Sequence, residues 1–326
     1  MRRREFMLAL GSAAAAWPLV ARAQQPPMPM IGFLGSASAP SFAPQLDGFR
    51  KGLGEAGYVE GRNVIIEYHW AEDQYERLPT LAAEFAQRRV DMILASGPPA
   101  AVAAKAATAS IPVVFVVGFD PVGAGLVASL SRPGGNLTGM YLYIGGLVAK
   151  KLELLHEMAS DVDSFAVVVN PQTPSAKLDS GEIEAANQAG SQPLARVRNA
   201  STDEQIDAVF ADLAAHKAAV VIGTDTFYFA HRAHLVATAA RTRMSAIYYA
   251  REFVTAGGLM SYGANIPDIY RQAGLYAARV LKGDKPAEMP VQQPTKFELV
   301  INLNTAKVLG TTVPVALQVA ADEVIE

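Results

Sequence analysis

The sequence predicts an α/β fold built from two doubly wound parallel sheets. Short apolar runs rich in β-formers alternate with stretches of helical spacing, the pattern of parallel strands covered by helices. The alternation occurs twice, on either side of Pro133-Gly134-Gly135-Asn136, and such residues punctuate loops. A chain of 326 residues is also at the size where a single core stops growing and domains divide.

In the first half, Met30–Leu34 is a short apolar run ending in Gly-Ser-Ala-Ser. Gln45–Ala56 has helical spacing, with Leu46, Phe49 and Leu53 on one face and Gly57 as its stop. Asn63–His69 alternates as a strand, Leu78–Arg88 reads as a helix and Met92–Ala95 as a strand. Pro99–Ala107 is an alanine-rich helix and Val113–Val117 the fourth strand. Gly123-x-Gly125, ten residues from the start of that strand, is expected to open a helix. Ser131–Tyr143 is the expected first crossover loop.

The second half repeats the pattern. Strands are expected at Phe165–Val169, Leu194–Val197, Ala219–Ile222 and Ala246–Tyr249. Helices are expected at Ala176–Ala189, Asp203–Ala215 and Tyr228–Arg241. A third part follows: the glycine-bracketed run Gly257–Gly263, a helix over Ile269–Leu281 ended by Lys282-Gly283, a proline-rich extended stretch Pro286–Pro294, a strand over Phe297–Leu303 and a short helix from Thr305. A chain that returns in this way crosses between its domains more than once, which makes a hinged pair around a cleft. The expected division is residues 28–135 with about 257–294 in lobe 1, and about 140–253 with about 297–326 in lobe 2.

Residues 1–23 are read as a leader. A basic start (Arg2-Arg3-Arg4), an apolar alanine-rich middle and Ala21-Arg22-Ala23 make an export signal with a cleavage site. Arg3-Arg4-Glu5-Phe6-Met7 also resembles a twin-arginine signal, and general secretory export is the alternative. With no cysteine in the chain, neither disulfides nor a cysteine lipid anchor are expected, so the mature protein is expected to be soluble in a bacterial periplasm. Removing the leader's four Arg and one Glu takes the formal charge from −3 to −6, which disfavours nucleic acid and anionic membranes as partners.

Enzyme signatures are thin. Gly123-x-Gly125-x-x-Ala128 matches a dinucleotide turn in form. It follows the fourth strand, not the first, and no acidic residue stands about 20 positions on. His231 and His234 could share a helix face, yet no third metal ligand lies close in sequence. G-x-S-x-G and the Walker lysine motif are absent. No cofactor and no metal are therefore expected.

Polar residues at strand ends remain, and in open α/β sheets ligands sit outside the carboxyl ends of the strands. Ser36 follows the first strand; Ser96, Gly97 and Pro98 follow the third and open a helix whose free N–H groups could hold a carboxylate. A plain serine cap is the alternative. Asp120 follows the fourth and could pair with a ligand ammonium or cap the next helix. Asn170 and Thr173 follow the first strand of the second unit, and Asp225 its third. Phe42, Tyr143, Phe227 and Tyr262 could supply flat apolar walls.

Several stretches together resemble the periplasmic substrate-binding proteins of ABC transporters, the family that includes the tryptophan/tyrosine-type binding proteins. They are Gly57-Tyr58-x-Glu60-Gly61-x-Asn63, Asp120-Pro121-Val122, Arg132–Gly139, Gly257–Gly263, Pro290–Phe297 and Ala321–Ile325. The resemblance runs from about Ile31 to Ile325. It implies a type I periplasmic-binding-protein fold with three crossovers, no enzymatic activity, and a small-molecule ligand clamped between the lobes. The ligand expected is a carboxylate-bearing solute such as an aromatic amino acid. It also implies hand-off to a membrane permease powered by a separate ATPase, with the binding protein acting as a monomer. The alternatives are a periplasmic sensory protein of the same fold and a periplasmic enzyme that is NAD-dependent or hydrolytic.

Overall fold

The computed structural model describes residues 28–142, 147–188 and 194–326; the leader and Tyr143 lie outside the described residues. The first sheet holds β1 (Met30–Gly35), β2 (Ile65–Trp70), β3 (Met92–Ser96), β4 (Val113–Val117) and β5 (Leu137–Tyr141), in the order β2-β1-β3-β4-β5 and all parallel. Its central strands are unbroken apolar runs because helices cover both faces. Phe33, Ile93, Leu94, Val114 and Phe115 are fully buried. The helices are α1 (Ala43–Glu55), α2 (Leu78–Arg88) and α3 (Pro98–Ala107).

The second sheet holds β6 (Ser164–Val169), β7 (Ala195–Asn199), β8 (Ala218–Ile222), β9 (Ala246–Tyr248), β10 (Met260–Gly263), β11 (Glu298–Asn302) and β12 (Glu323–Ile325). Their order is β12-β11-β10-β9-β8-β6-β7, parallel except for the β10–β11 pair. Around it lie α4 (Val148–Met158), α5 (Pro174–Gln188), α6 (Asp203–Ala215), α7 (Thr226–Ala230), α8 (Arg232–Arg241) and α9 (Arg251–Thr255). The long α10 (Ile266–Leu281) packs back on α1 of the first lobe, and α11 (Leu303–Leu309) and α12 (Val315–Ala320) close the chain. The α1–α10 contact depends on missing side chains: a Cβ on Gly52 would lie 1.9 Å from Arg271 O, and one on Gly274 2.2 Å from Phe49 O.

The structure corrects four of the sequence expectations. Residues 121–136 form turns and bends with no helix after Gly123-x-Gly125. Asp120 Oδ1 accepts the Val122 N–H at 2.9 Å and Asp120 O the Ala124 N–H at 3.0 Å, which curls the chain into a tight turn. The supposed crossover loop contains β5, paired along the whole edge of β4. The glycine-bracketed run belongs to the second sheet, not to lobe 1: Met260 and Ser261 pair with Ile247 and Tyr248 of β9. The chain returns to the first lobe only with α10. The expected helix over Tyr228–Arg241 is two helices that meet at His231, whose ring pairs with Asp203. The backbone thus passes between lobes after β5, between β10 and α10, and between Gln292 and β11.

Candidate ligand-binding site

A small cavity of about 50 Å³ lies between the closed lobes at the carboxyl ends of β3, β4 and β8. Its walls are largely carbon. Phe42 of the first lobe approaches Phe229 of the second with ring centroids 5.6 Å apart, and Phe42 also meets Tyr270 edge-on at 6.3 Å. Among the described residues that line it there is one carboxylate, Asp225, and no Lys, Arg or His.

Asp225 is 3% exposed. The loop after β8 carries it, and its neighbours hold it in place. Oδ1 accepts hydrogen bonds from Asn170 Nδ2 at 3.0 Å, the Phe227 N–H at 2.9 Å and the Tyr75 hydroxyl at 3.3 Å. The Tyr249 hydroxyl donates to Asp225 O at 2.6 Å. Burial pushes the Asp225 carboxyl up from 3.8 to about 6, while the hydrogen bonds from Asn170, Phe227 N–H, Tyr75 and Thr173 pull it the other way. A carboxylate buried without a cation is an unfavourable arrangement that an incoming ammonium would relieve. Tyr75 belongs to the first lobe, so its bonds to Asp225 and to Thr226 Oγ1 (3.2 Å) tie the closed cleft together. At the rim, Arg232 Nη1 donates to Ser41 O at 3.3 Å, and His231 stands between Asp203 of its own lobe (2.8 Å) and Asp73 of the other (3.5 Å).

The turn after β3 is built differently. Gly97 has φ +99°, and a Cβ there would lie 2.8 Å from Thr226 Cγ2 of the opposite lobe. Its N–H is committed to Val116 O at 3.0 Å. Pro98 and Pro99 have no N–H at all, so the start of α3 has few donors left for an anion. Ser96 Oγ is 2.5 Å from the Tyr270 hydroxyl, and Ser36 Oγ donates to Ser96 O at 3.1 Å.

Of the residues singled out in the sequence, Phe42, Gly97, Pro98 and Asp225 line the cavity. Ser36 and Ser96 lie behind it, bonded to their neighbours. Asn170 and Thr173 support Asp225. Phe227 contributes its backbone N–H, while its ring leans on His231 at 4.2 Å. Asp120 caps its own turn and does not line the cavity. Tyr262 packs against Phe297 at 6.2 Å, on the far side of the second sheet. The sequence reading missed Gln45, Tyr75, Phe229, Tyr249 and Tyr270. Of these only Gln45 left a signal, as a polar residue four positions before Phe49 on the apolar face of α1.

The family described as ABC transporter substrate binding protein matches residues 31–325. The chain belongs to this family. A curated relative, the tyrosine-binding protein of Clostridioides difficile, is 26% identical over 279 residues, covering 86% of this chain and 80% of the relative. The crystal structure of an ABC domain in complex with L-Trp from Streptococcus pneumoniae is 26% identical, with TM-score 0.82 over 91% of this chain and 99% of that one. The ligand-free, open structure of a substrate-binding protein with adhesive properties from Clostridium difficile is 25% identical over the same shares, with TM-score 0.65. These likenesses make the two lobes a type I periplasmic-binding-protein fold. At nearly equal identity the substrate-binding protein overlaps the L-Trp complex better than the open form, in keeping with its interlobe contacts.

Proposed function

We propose that this substrate-binding protein is the exported solute receptor of an ABC importer. Its lobes close on a small solute that bears an ammonium and an apolar, typically aromatic, body, an amino acid or a close relative of one. It then docks on a membrane permease served by a separate ATPase. The observation that carries the reading is Asp225: a buried carboxylate with no cationic partner among the described residues, set in an aromatic cavity and touched by both lobes. Its ammonium-binding role is supported by relatives described as a tyrosine-binding protein and as an L-Trp complex. The carboxylate half of an amino acid has less behind it: the Gly97 N–H is bonded to Val116 O, and Pro98 and Pro99 carry no N–H.

The test is a thermal-shift panel on the purified protein with aromatic and branched amino acids, aromatic carboxylates, short peptides, aromatic amines and NAD(H). At 100 times the dissociation constant a ligand adds about 2.7 kcal/mol of stability. Trp70, whose ring lies 6.1 Å from that of Phe42, reports binding by fluorescence. Shifts confined to ammonium-bearing ring compounds support the proposal. A shift with NAD(H) alone, or with carboxylates lacking an amine, defeats it. The importer role is checked by adding the loaded protein to the reconstituted permease and ATPase, where ATP hydrolysis should rise.

A further inference from the structure

Gln45 stands in the first turn of α1, is 1% exposed and lines the cavity. Neither its amide oxygen nor its amide nitrogen finds a protein partner among the described residues. Buried polar atoms in folded proteins are paired with few exceptions, and each exception is destabilising. A glutamine amide offers one acceptor and two donors side by side, and here both kinds stand open in the cavity. Ser36, Ser96 and the Gly97 N–H bond to protein atoms.

The geometry points to Gln45 as the first lobe's specificity-determining contact, reading a neutral group that carries a donor and an acceptor together, a carboxamide or lactam, on a solute whose ammonium sits at Asp225. This rests on the proposed function above. A carboxamide can satisfy both ends of the Gln45 amide at once. A carboxylate can take only the N–H, and it turns negative charge toward the glutamine oxygen. Charge balance leads to the same choice. Asp225 is the single charged side chain among the described lining residues. With an amino amide the closed cavity is neutral, one ammonium against one carboxylate. With a zwitterionic amino acid it is left with a net negative charge and no cation lining it to offset that charge, which is costly away from water.

The experiment titrates the purified protein with L-phenylalaninamide, L-phenylalanine and phenethylamine, before and after Gln45→Leu. That substitution keeps the bulk and removes both polar atoms. The expected result is that the amide binds at least about tenfold tighter than either of the others. Gln45→Leu should bring the amide down to the level of phenethylamine. It should also raise the melting temperature of the ligand-free protein by about 2 °C or more, since two buried unpaired atoms are gone. A glutamine that only packs would leave the amide-to-amine ratio where it was. That outcome overturns the inference, as does phenylalanine binding as tightly as its amide. If phenethylamine binds and the amide gains nothing, the Gln45 inference falls alone and the Asp225 reading stands. If none of the three binds, both fall together.

Discussion

The turns after β3 and β8 occupy matching places, each at the carboxyl end of a central strand and each bordering the cavity. Their chemistry is opposite. After β8 the chain presents a carboxylate whose Oδ1 is already held by three donors. After β3 the donors face inward: Gly97 N–H on Val116 O, Ser96 Oγ on the Tyr270 hydroxyl, and two prolines with none to give. What reaches the cavity from that turn is carbon, fitted closely against Thr226 of the other lobe. One turn supplies charge and the other supplies fit. A two-lobed clamp can therefore divide recognition from closure, with its electrostatics on one side of the hinge.

The largest effect should come from breaking the charged side. Asp225→Asn should lower affinity for an ammonium-bearing solute by about 30-fold or more, since truncating a buried charge pair costs about 2–5 kcal/mol and each tenfold is about 1.4. The ligand-free protein should respond the other way. The native carboxyl titrates at about 6 instead of 3.8, so the folded state holds its proton more tightly than the unfolded chain. Stability is then lost as pH rises from about 4 through 6, and above 6 the full penalty is on the order of 2–3 kcal/mol. Asparagine removes that penalty. Denaturant unfolding at pH 5 and 7.5 checks it: wild type should weaken between the two relative to the variant. A variant less stable than wild type at pH 7.5 would count against Asp225 as an unrelieved buried charge.

Next is the fitted side. Gly97→Ala places a Cβ at φ +99°, where L-residues are strained, and 2.8 Å from Thr226 Cγ2 across the cleft. Backbone strain of about 1–3 kcal/mol falls on the first lobe, and the clash falls on closure. Affinity should drop about tenfold and the melting temperature should fall, the reverse of the Asp225→Asn stability change. Small-angle scattering with saturating ligand should show a larger radius of gyration than wild type. Unchanged compaction would mean that the turn does not gate closure.

The contrast between these turns was only half legible in the sequence. Alternating apolar runs marked β1, β3, β4, β6 and β8, because a strand buried on both faces needs a continuous hydrophobic stretch. The same rule hid β5 and β10, whose Leu137-Thr138-Gly139 and Ser261-Tyr262-Gly263 carry glycine and hydroxyls where pairing and close approach matter more than side-chain bulk. Asp225 was visible as an acid at a strand end, but Asp120 looked the same. What separates them is tertiary: Tyr75 comes from 150 positions away to meet Asp225, while Asp120 is satisfied two residues on. Phe229 and Tyr270 were invisible for a similar reason, since each sits on a helix face that any core would also use.

The smallest predicted effect lies at the rim, where the second lobe again supplies the titrating group. His231 reaches Asp203 of its own lobe and Asp73 of the first. Its hydrogen bond to Asp73 raises its pKa above 6.5, partial burial opposes this, and the attraction of Asp203 adds to the rise. Opening removes Asp73, so the closed form holds the imidazolium proton more tightly. Below the open-state value both forms are protonated and the Asp73 contact favours closure in full. As pH rises through the higher closed-state value the proton leaves and that contribution is lost. The ring is partly solvated, so the effect should be that of an exposed pair, about two- to fivefold in affinity. It should appear as ligand binding that weakens as pH rises above the ordinary histidine value of 6.5. Because Asp225 titrates in a neighbouring range, the quantity to plot is the ratio of wild-type to His231→Asn affinity against pH. Asp225 is common to both proteins and largely cancels. A ratio falling toward one as pH rises assigns the latch to His231, and a flat ratio leaves the cleft held by Tyr75 and the fit of Gly97.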